Sequence, residues 1–320
     1  MSNGKHRILV VSHGHPDFSL GGGEIAAYNL FRAYRECSDV EASFFLARHY
    51  SGRSAIGAIS PRRSGEFLWE TSVCNGFKME VNDPNSLQRS FSDLIWQLRL
   101  DVVHVHHYVH MGLEYLQVIK KIAPSIRIVM TLHEYMAICY NDGQMIKRGS
   151  GRLCNYESPE DCRNCFPEHS VEDFWLRKHR YQRYFDLVDQ FVAPSNFLRT
   201  RYINWGIAPE KIQVIENGQA DRNALPPRPL KHGESRNRFG FFGQVNPYKG
   251  IELLLRALAE LPKEDRRKLA LEVHGTNLNG QTEDFQAKIG RLRKRLEKDG
   301  TLQWIGHYEP IQIEQRHRTY

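Results

Sequence analysis

Arg7-Ile8-Leu9-Val10-Val11-Ser12, a loop to Gly21-Gly22-Gly23-Glu24, and the apolar-periodic run from Ile25 to Tyr34 read as strand, glycine loop and helix. A second opening of the same kind is Phe239-Gly240-Phe241-Phe242-Gly243, then Gln244-Val245-Asn246-Pro247-Tyr248-Lys249-Gly250, then the helical pattern 251–261. A glycine loop lets backbone approach a diphosphate closely. The helix that follows adds free N–H groups and the positive end of its dipole. Two such openings facing each other would form a cleft for a nucleotide-linked substrate. Taken alone, the triple glycine also fits a plain tight turn, and its spacing is not the dinucleotide fingerprint G-x-G-x-x-G. Lys249 is more telling. A cation at a helix start is disfavoured by ~0.3–1 kcal/mol unless an anion sits there.

Outward from these loops, short apolar runs alternate with helical patterns. Strands are expected at 8–11, 41–46, 102–105, 126–132, 190–193 and 212–215, and helices at 24–35, 84–99, 112–122, 171–187 and 195–204. An irregular stretch rich in Gly, Ser and Arg follows residue 46. Apolar runs without clean alternation suit a parallel sheet buried on both faces, and this order predicts a doubly wound α/β domain over residues 1–216. Residues 217–236, with Asn217-Gly218 and Leu225-Pro226-Pro227-Arg228-Pro229, are turn-prone and extended and form the expected linker. Strands 239–242, 269–274 and 302–305 with helices 250–261 and 283–298 make a partial second domain over 237–320. Three strands are about half of a doubly wound sheet and leave an open edge.

At 320 residues, 41% hydrophobic and 25% charged, the chain has the composition of a globular protein of two domains. No apolar run nears the ~20 residues of a membrane span, and the first strand is too short for a signal-peptide core. The expected location is the cytoplasm. A net charge of +7 favours anionic partners. No nucleic-acid motif accompanies the basic residues, so a nucleotide substrate or an anionic membrane surface accounts for the charge better than DNA or RNA.

His133 stands directly beyond the strand 126–132, where open α/β sheets bind ligands. It could hydrogen-bond a phosphate or sugar hydroxyl, carry a proton, or serve as a structural loop residue. His104, His106, His107 and His110 crowd the end of the strand 102–105. No carboxylate lies near them at metal-ligand spacing. Hydrogen bonding to a polyhydroxylated acceptor is favoured over a metal site, with strand-end packing the alternative.

Cys139, Cys154, Cys162 and Cys165 fall in one polar, turn-rich stretch, residues 139–170. Cys162-Arg163-Asn164-Cys165 is a C-x-x-C pair, the usual half of a zinc site. A stretch this poor in apolar residues needs a reason to be ordered inside a domain, and a structural zinc would supply one. Disulfides, free thiols and an iron–sulfur cluster are the alternatives. Cys37 and Cys74 are expected to be ordinary packing residues.

Together with Asp101-Val102-Val103-His104-Val105-His106, Thr131-Leu132-His133, Val192-Ala193-Pro194-Ser195, Val214-Ile215-Glu216-Asn217-Gly218 and Leu302-Gln303-Trp304-Ile305-Gly306, the two glycine loops resemble the retaining glycosyltransferases of GT-B fold, glycosyltransferase family 4. The cysteine-bearing stretch resembles one branch of that family. The resemblance implies two facing Rossmann-like domains, the acceptor on the first and the nucleotide sugar on the second, and transfer without a catalytic divalent metal. It implies that His133 contacts the donor sugar near the reacting centre. Lys249 would neutralise the leaving diphosphate, with Gly22 and Gly23 approaching it by backbone and Gln244, Asn217 and Gly218 also on the donor side. Glu24, His106 and His107 would face the acceptor. Two departures stand out. Gln244 occupies the position where the family usually has an arginine, and the family's downstream pair of glutamates seven residues apart is not in these 320 residues, which makes the second domain truncated.

The expected function is transfer of a sugar from a nucleotide-sugar donor to a glycan or lipid-linked acceptor, with retention, in surface polysaccharide or glycolipid synthesis. A truncated, non-catalytic binding module and a nucleotide-sugar epimerase are the competitors. The helix 171–187 mixes Phe174, Trp175, Tyr181, Tyr184 and Phe185 with Arg177, Lys178, Arg180 and Arg183. It could rest peripherally on an anionic bilayer. An inward aromatic side with solvated bases is the preferred reading.

Overall fold

A computed structural model describes residues 5–19, 21–52, 54–218 and 226–308, together with 313, 316, 319 and 320. The chain divides into two compact units, residues 1–220 and 221–320. Residues 219–225 of the expected linker lie outside the described residues.

In the first unit the elements run β1 (His6–Ser12), α1 (Gly22–Glu36), β2 (Val40–His49), β3 (Ile59–Arg63), β4 (Glu66–Glu70), β5 (Val73–Asn75), β6 (Glu80–Val81), α2 (Pro84–Leu98), β7 (Val102–Val105), α3 (Glu114–Ile122), β8 (Arg127–Thr131), α4 (Pro159–Cys165), α5 (Val171–Phe185), β9 (Gln190–Ala193), α6 (Asn196–Trp205) and β10 (Ile212–Val214). Eight of the strands form one sheet in the order β10-β9-β8-β7-β1-β2-β4-β3. Every pairing in it is parallel except β3 with β4. Strand alternation fills both faces. Leu9 and Val11 enter the larger core with Val103, Val105, Ile128 and Met130, while Ile8 and Val10 pack with Ala27 and Phe31 of α1. The chain leaves β1 toward β2 on one side and later returns to β7 on the other. The β1/β7 junction is therefore the switch point where such sheets hold ligands.

Local chemistry sets the helix starts. The Asp83 side chain accepts from the N–H groups of Asn85 and Ser86 ahead of α2, and Ser170 and Asp173 form a capping box on α5.

Several expectations change. The stretch after residue 46 is not irregular: β3 and β4 extend the sheet from β2, and Pro61 is tolerated because β3 is the edge. Residues 139–170 carry an Ile146–Leu153 bridge and the helix α4. Cys37 and Cys74 are exposed, not packed. In α5 the aromatic side does face inward through Phe174, Tyr181 and Phe185, but Arg177 is buried with them. It donates to the carbonyls of Phe77 (3.0 Å), Ala137 (2.7 Å) and Met136. Those carbonyls belong to irregular chain, which no sheet partner satisfies. The guanidinium fork replaces the missing donors.

The second unit contains β11 (Arg238–Phe242), α7 (Ile251–Glu260), α8 (Lys263–Arg266), β12 (Ala270–His274), α9 (Glu283–Lys298) and β13 (Leu302–Gly306). Among the described residues its sheet is the parallel set β11-β12-β13, with its own core of Val245, Ile251, Leu255, Leu271, Val273, Phe285, Ile289 and Leu296. Among the described residues no helix is long and apolar enough to cross a membrane.

Candidate functional site

Three neighbouring strands deliver histidines to one edge of the large sheet. His13 follows β1, His106 and His107 follow β7, and His133 stands two residues past β8. His106 Nδ1 and His133 Nε2 are 3.0 Å apart. His133 stacks on both His106 and His107, with ring centroids 5.2 and 4.9 Å apart, and His13 meets His107 edge-on at 3.8 Å. Beneath them His104 joins Thr131 Oγ1 at 2.8 Å and Tyr34 Oη at 3.1 Å.

Burial is the main cause of the electrostatics. It pushes His104 and His133 down to about 4, with help from neighbouring imidazoles, and His106 and His107 well below the ordinary value. These four rings are neutral at pH 7 and can both donate and accept. For Glu24, burial would raise the carboxyl pKa, but hydrogen bonds from His13 and Ser19 and the charge of His13 outweigh it and hold the group at about 2. Glu24 lies 3.3 Å from His13 Nε2 and accepts from the Ser19 hydroxyl at 2.5 Å. Three nitrogens at this edge, His13 Nδ1, His106 Nε2 and His107 Nδ1, are buried with no partner among the described residues. Buried polar atoms rarely stay unpaired without a function.

The start of α1 closes the site. A Cβ at Gly23 would sit 2.3 Å from His107 Nε2, and one at Gly21 would sit 2.2 Å from a Glu24 oxygen. These two glycines bring backbone against the histidine and the carboxylate. Gly22 faces open space, with no neighbour within 4 Å of a Cβ position.

In the second unit, Asn246 accepts from the N–H groups of Tyr248 and Lys249 and caps the single 3₁₀ turn Pro247–Lys249. Gly250 then takes the left-handed conformation (φ 76°) that starts α7. Gln244 and Lys249 are exposed on this loop, and Asn217 and Gly218 are exposed beyond β10 in the first unit.

The sequence profile of Glycosyltransferase Family 4 matches residues 20–219. The chain belongs to glycosyltransferase family 4. No curated protein matches it. Among solved structures it is similar to Anabaena HepE, a structure with UDP and glucose (TM-score 0.55, 16% identity, 98% of this chain and 72% of that one). It is also similar to sucrose-phosphate synthase from Thermosynechococcus elongatus (TM-score 0.60, 12% identity, 98% and 73%). A third is the lipopolysaccharide outer core galactosyltransferase WaaB (TM-score 0.53, 12% identity, 97% and 70%). These neighbours are GT-B glycosyltransferases, and the fold of this family 4 chain is of that α/β type.

Of the residues expected from sequence, Glu24, His106, His107 and His133 meet at the sheet edge with Gly23, while Gln244 and Lys249 belong to the other unit. His13 was not expected. The rule that singled out His133, a histidine just beyond a parallel strand, applies equally to His13 after β1. The carboxylate missing from the local spacing around His107 comes instead from Glu24 on α1. His13, Glu24 and His107 place ligand atoms within 4.8 Å of one another, so this trio could take a divalent cation as well as a polyol.

Proposed function

We propose that this family 4 protein transfers a hexosyl group, with retention, from a nucleotide-sugar donor to a hydroxyl of a glycan or lipid-linked acceptor in surface polysaccharide synthesis. One observation carries the reading: buried, unpartnered imidazole nitrogens beside an ionised carboxylate at the switch point of a doubly wound sheet. Neutral imidazoles and a carboxylate together offer the alternating donors and acceptors that sugar hydroxyls require. The UDP, UDP-glucose and glucose in solved HepE structures support the same ligand class.

In the reaction the bond from sugar C1 to the diphosphate oxygen breaks, the acceptor oxygen bonds to C1, and its proton leaves with the diphosphate. Negative charge grows on the diphosphate as it departs. Lys249 and the N–H groups at the start of α7 are suited to stabilise it. Gly22 leaves backbone accessible at the first turn of α1. His133, neutral and held by His106, is assigned to the donor sugar, and Glu24, His106 and His107 to the acceptor. Asn217, Gly218 and Gln244 are assigned to the donor side. No divalent metal is assigned to the chemistry. Six unpaired cysteines support a reducing, cytoplasmic setting. Trp175 and Leu176, half exposed on α5 beside Lys178 and His179, support peripheral contact with the inner face of a membrane carrying a lipid-linked acceptor.

The test is incubation of purified protein with radiolabelled nucleotide hexoses, with and without lipid and glycan acceptors. Release of nucleotide diphosphate with label transferred supports the enzyme. Binding of the sugar nucleotide with no turnover supports the non-catalytic module. Absence of both binding and turnover overturns the reading.

A further inference from the structure

The four cysteines of residues 139–170 reach one neighbourhood from three separate local structures. Cys139 closes a turn, its N–H bonding the Tyr135 carbonyl at 2.7 Å, and the backbone N–H groups of Asn141 and Met145 point at its sulfur. Cys154 stands just past the Ile146–Leu153 bridge and donates its own N–H to the Met145 carbonyl at 2.7 Å. Met145 therefore has Cys139 on its amide side and Cys154 on its carbonyl side. Cys162 and Cys165, three apart on α4, share one helical face. Cys162 lies within electrostatic reach of both Cys139 and Cys154. Lys147, between the bridge and α4, is within reach of Cys154 and Cys165 and is paired to Asp161 at 3.2 Å.

The region is tied to the rest of the unit at a few points, among them Trp205 Nε1 donating to Glu157 at 2.6 Å and Met145 in the main core. The seven-residue helix α4 buries none of its residues, and a helix that short does not persist on its own. A small apolar cluster of Phe77, Phe166 and Phe174 has Tyr140, Cys162 and Cys165 against it, while Cys139 packs against the main core. All four thiols are half-buried and none is in a disulfide.

We propose that Cys139, Cys154, Cys162 and Cys165 together bind one structural zinc ion, losing their thiol protons as four Zn–S bonds form. No three of these sulfurs come within 4.8 Å of one another. A tetrahedron with Zn–S bonds of about 2.3 Å draws them closer than that. Closing that tetrahedron requires rotation about the Cys side chains or a shift of α4. This assignment stands apart from the sugar-handling site, so either can fail without the other.

The experiment uses the full chain purified without chelator. Elemental analysis is expected to find about one zinc per chain. Four thiols should be protected from a thiol reagent in the folded protein while exposed Cys37 and Cys74 react, and a strong chelator should release the zinc, unmask the four and lower the melting temperature. Cobalt(II) added to the stripped protein should give the intense visible and near-ultraviolet bands of tetrahedral thiolate ligation. Cys162→Ser should lose the metal, and His107→Ala should keep it. Six freely reacting thiols with no zinc bound, even after zinc is added back, would overturn the proposal. So would iron in place of zinc, or zinc that disappears with His107→Ala.

Discussion

The histidine edge of the large sheet and the cysteine stretch after it are both clusters of metal-ligand side chains, yet they are built in opposite ways. At the edge, β1, β7 and β8 hydrogen-bond side by side, so residues far apart in sequence arrive in register and sit in ring-to-ring contact without any ligand. In residues 139–170 the four thiols are close in sequence, but turns and one short helix leave no three of them within 4.8 Å of one another. A parallel sheet positions side chains in advance, and a loop must be gathered by what it binds. The first arrangement suits reversible handling of a substrate and the second a permanent structural ion.

Acid should load the histidine edge most strongly. Above pH 6.5 the buried histidines are neutral whether the chain is folded or not. Below it the unfolded chain takes up protons, while His104 and His133, held near 4, do not. Stability should fall as pH drops from 6.5 to 4, by on the order of 3 kcal/mol from His104 alone. His106 and His107 act in the same direction. Denaturant melts at stepped pH check this, and His104→Gln should flatten the slope.

Arg177 joins the two regions, since it clamps carbonyls of Met136 and Ala137 between His133 and Cys139. Arg177→Met should cost about 3 kcal/mol, because three buried acceptors lose a charged donor. Urea unfolding measures the loss. Hydrogen exchange should show it spreading into residues 136–170.

Gly23→Ala pushes a methyl group toward His107 and should cost about 1–3 kcal/mol, with a larger rise in acceptor KM than fall in kcat. Unchanged stability and KM would show that the edge is more yielding than its contacts suggest. The smallest effect belongs to Cys37→Ser. That residue is exposed and outside both clusters, so its melting temperature and zinc content should match the parent within error.

Much of the sheet was legible in the sequence because its strands are short apolar runs between helical patterns. The 102–105 and 190–193 expectations coincide with β7 and β9. The β3–β4 hairpin was not, since an edge strand such as Ile59-Ser60-Pro61-Arg62-Arg63 is mostly exposed and has no apolar signature. His106, His107 and His133 could be singled out from their place after strands. Glu24 was joined to His106 and His107 only through the family resemblance, because the helix carrying it is positioned only by packing across the sheet. Arg177 was hidden for a similar reason: an arginine among aromatics on an amphipathic helix gives no sign that carbonyls from another segment await it.

The most direct test of the sugar-handling edge is transfer from a labelled nucleotide hexose by the wild-type protein and by His133→Ala, with nucleotide-diphosphate affinity and melting temperature measured on both. Turnover at least about 100-fold lower is expected in the variant, with nucleotide affinity and folding kept. Equal turnover in the two proteins would contradict this expectation.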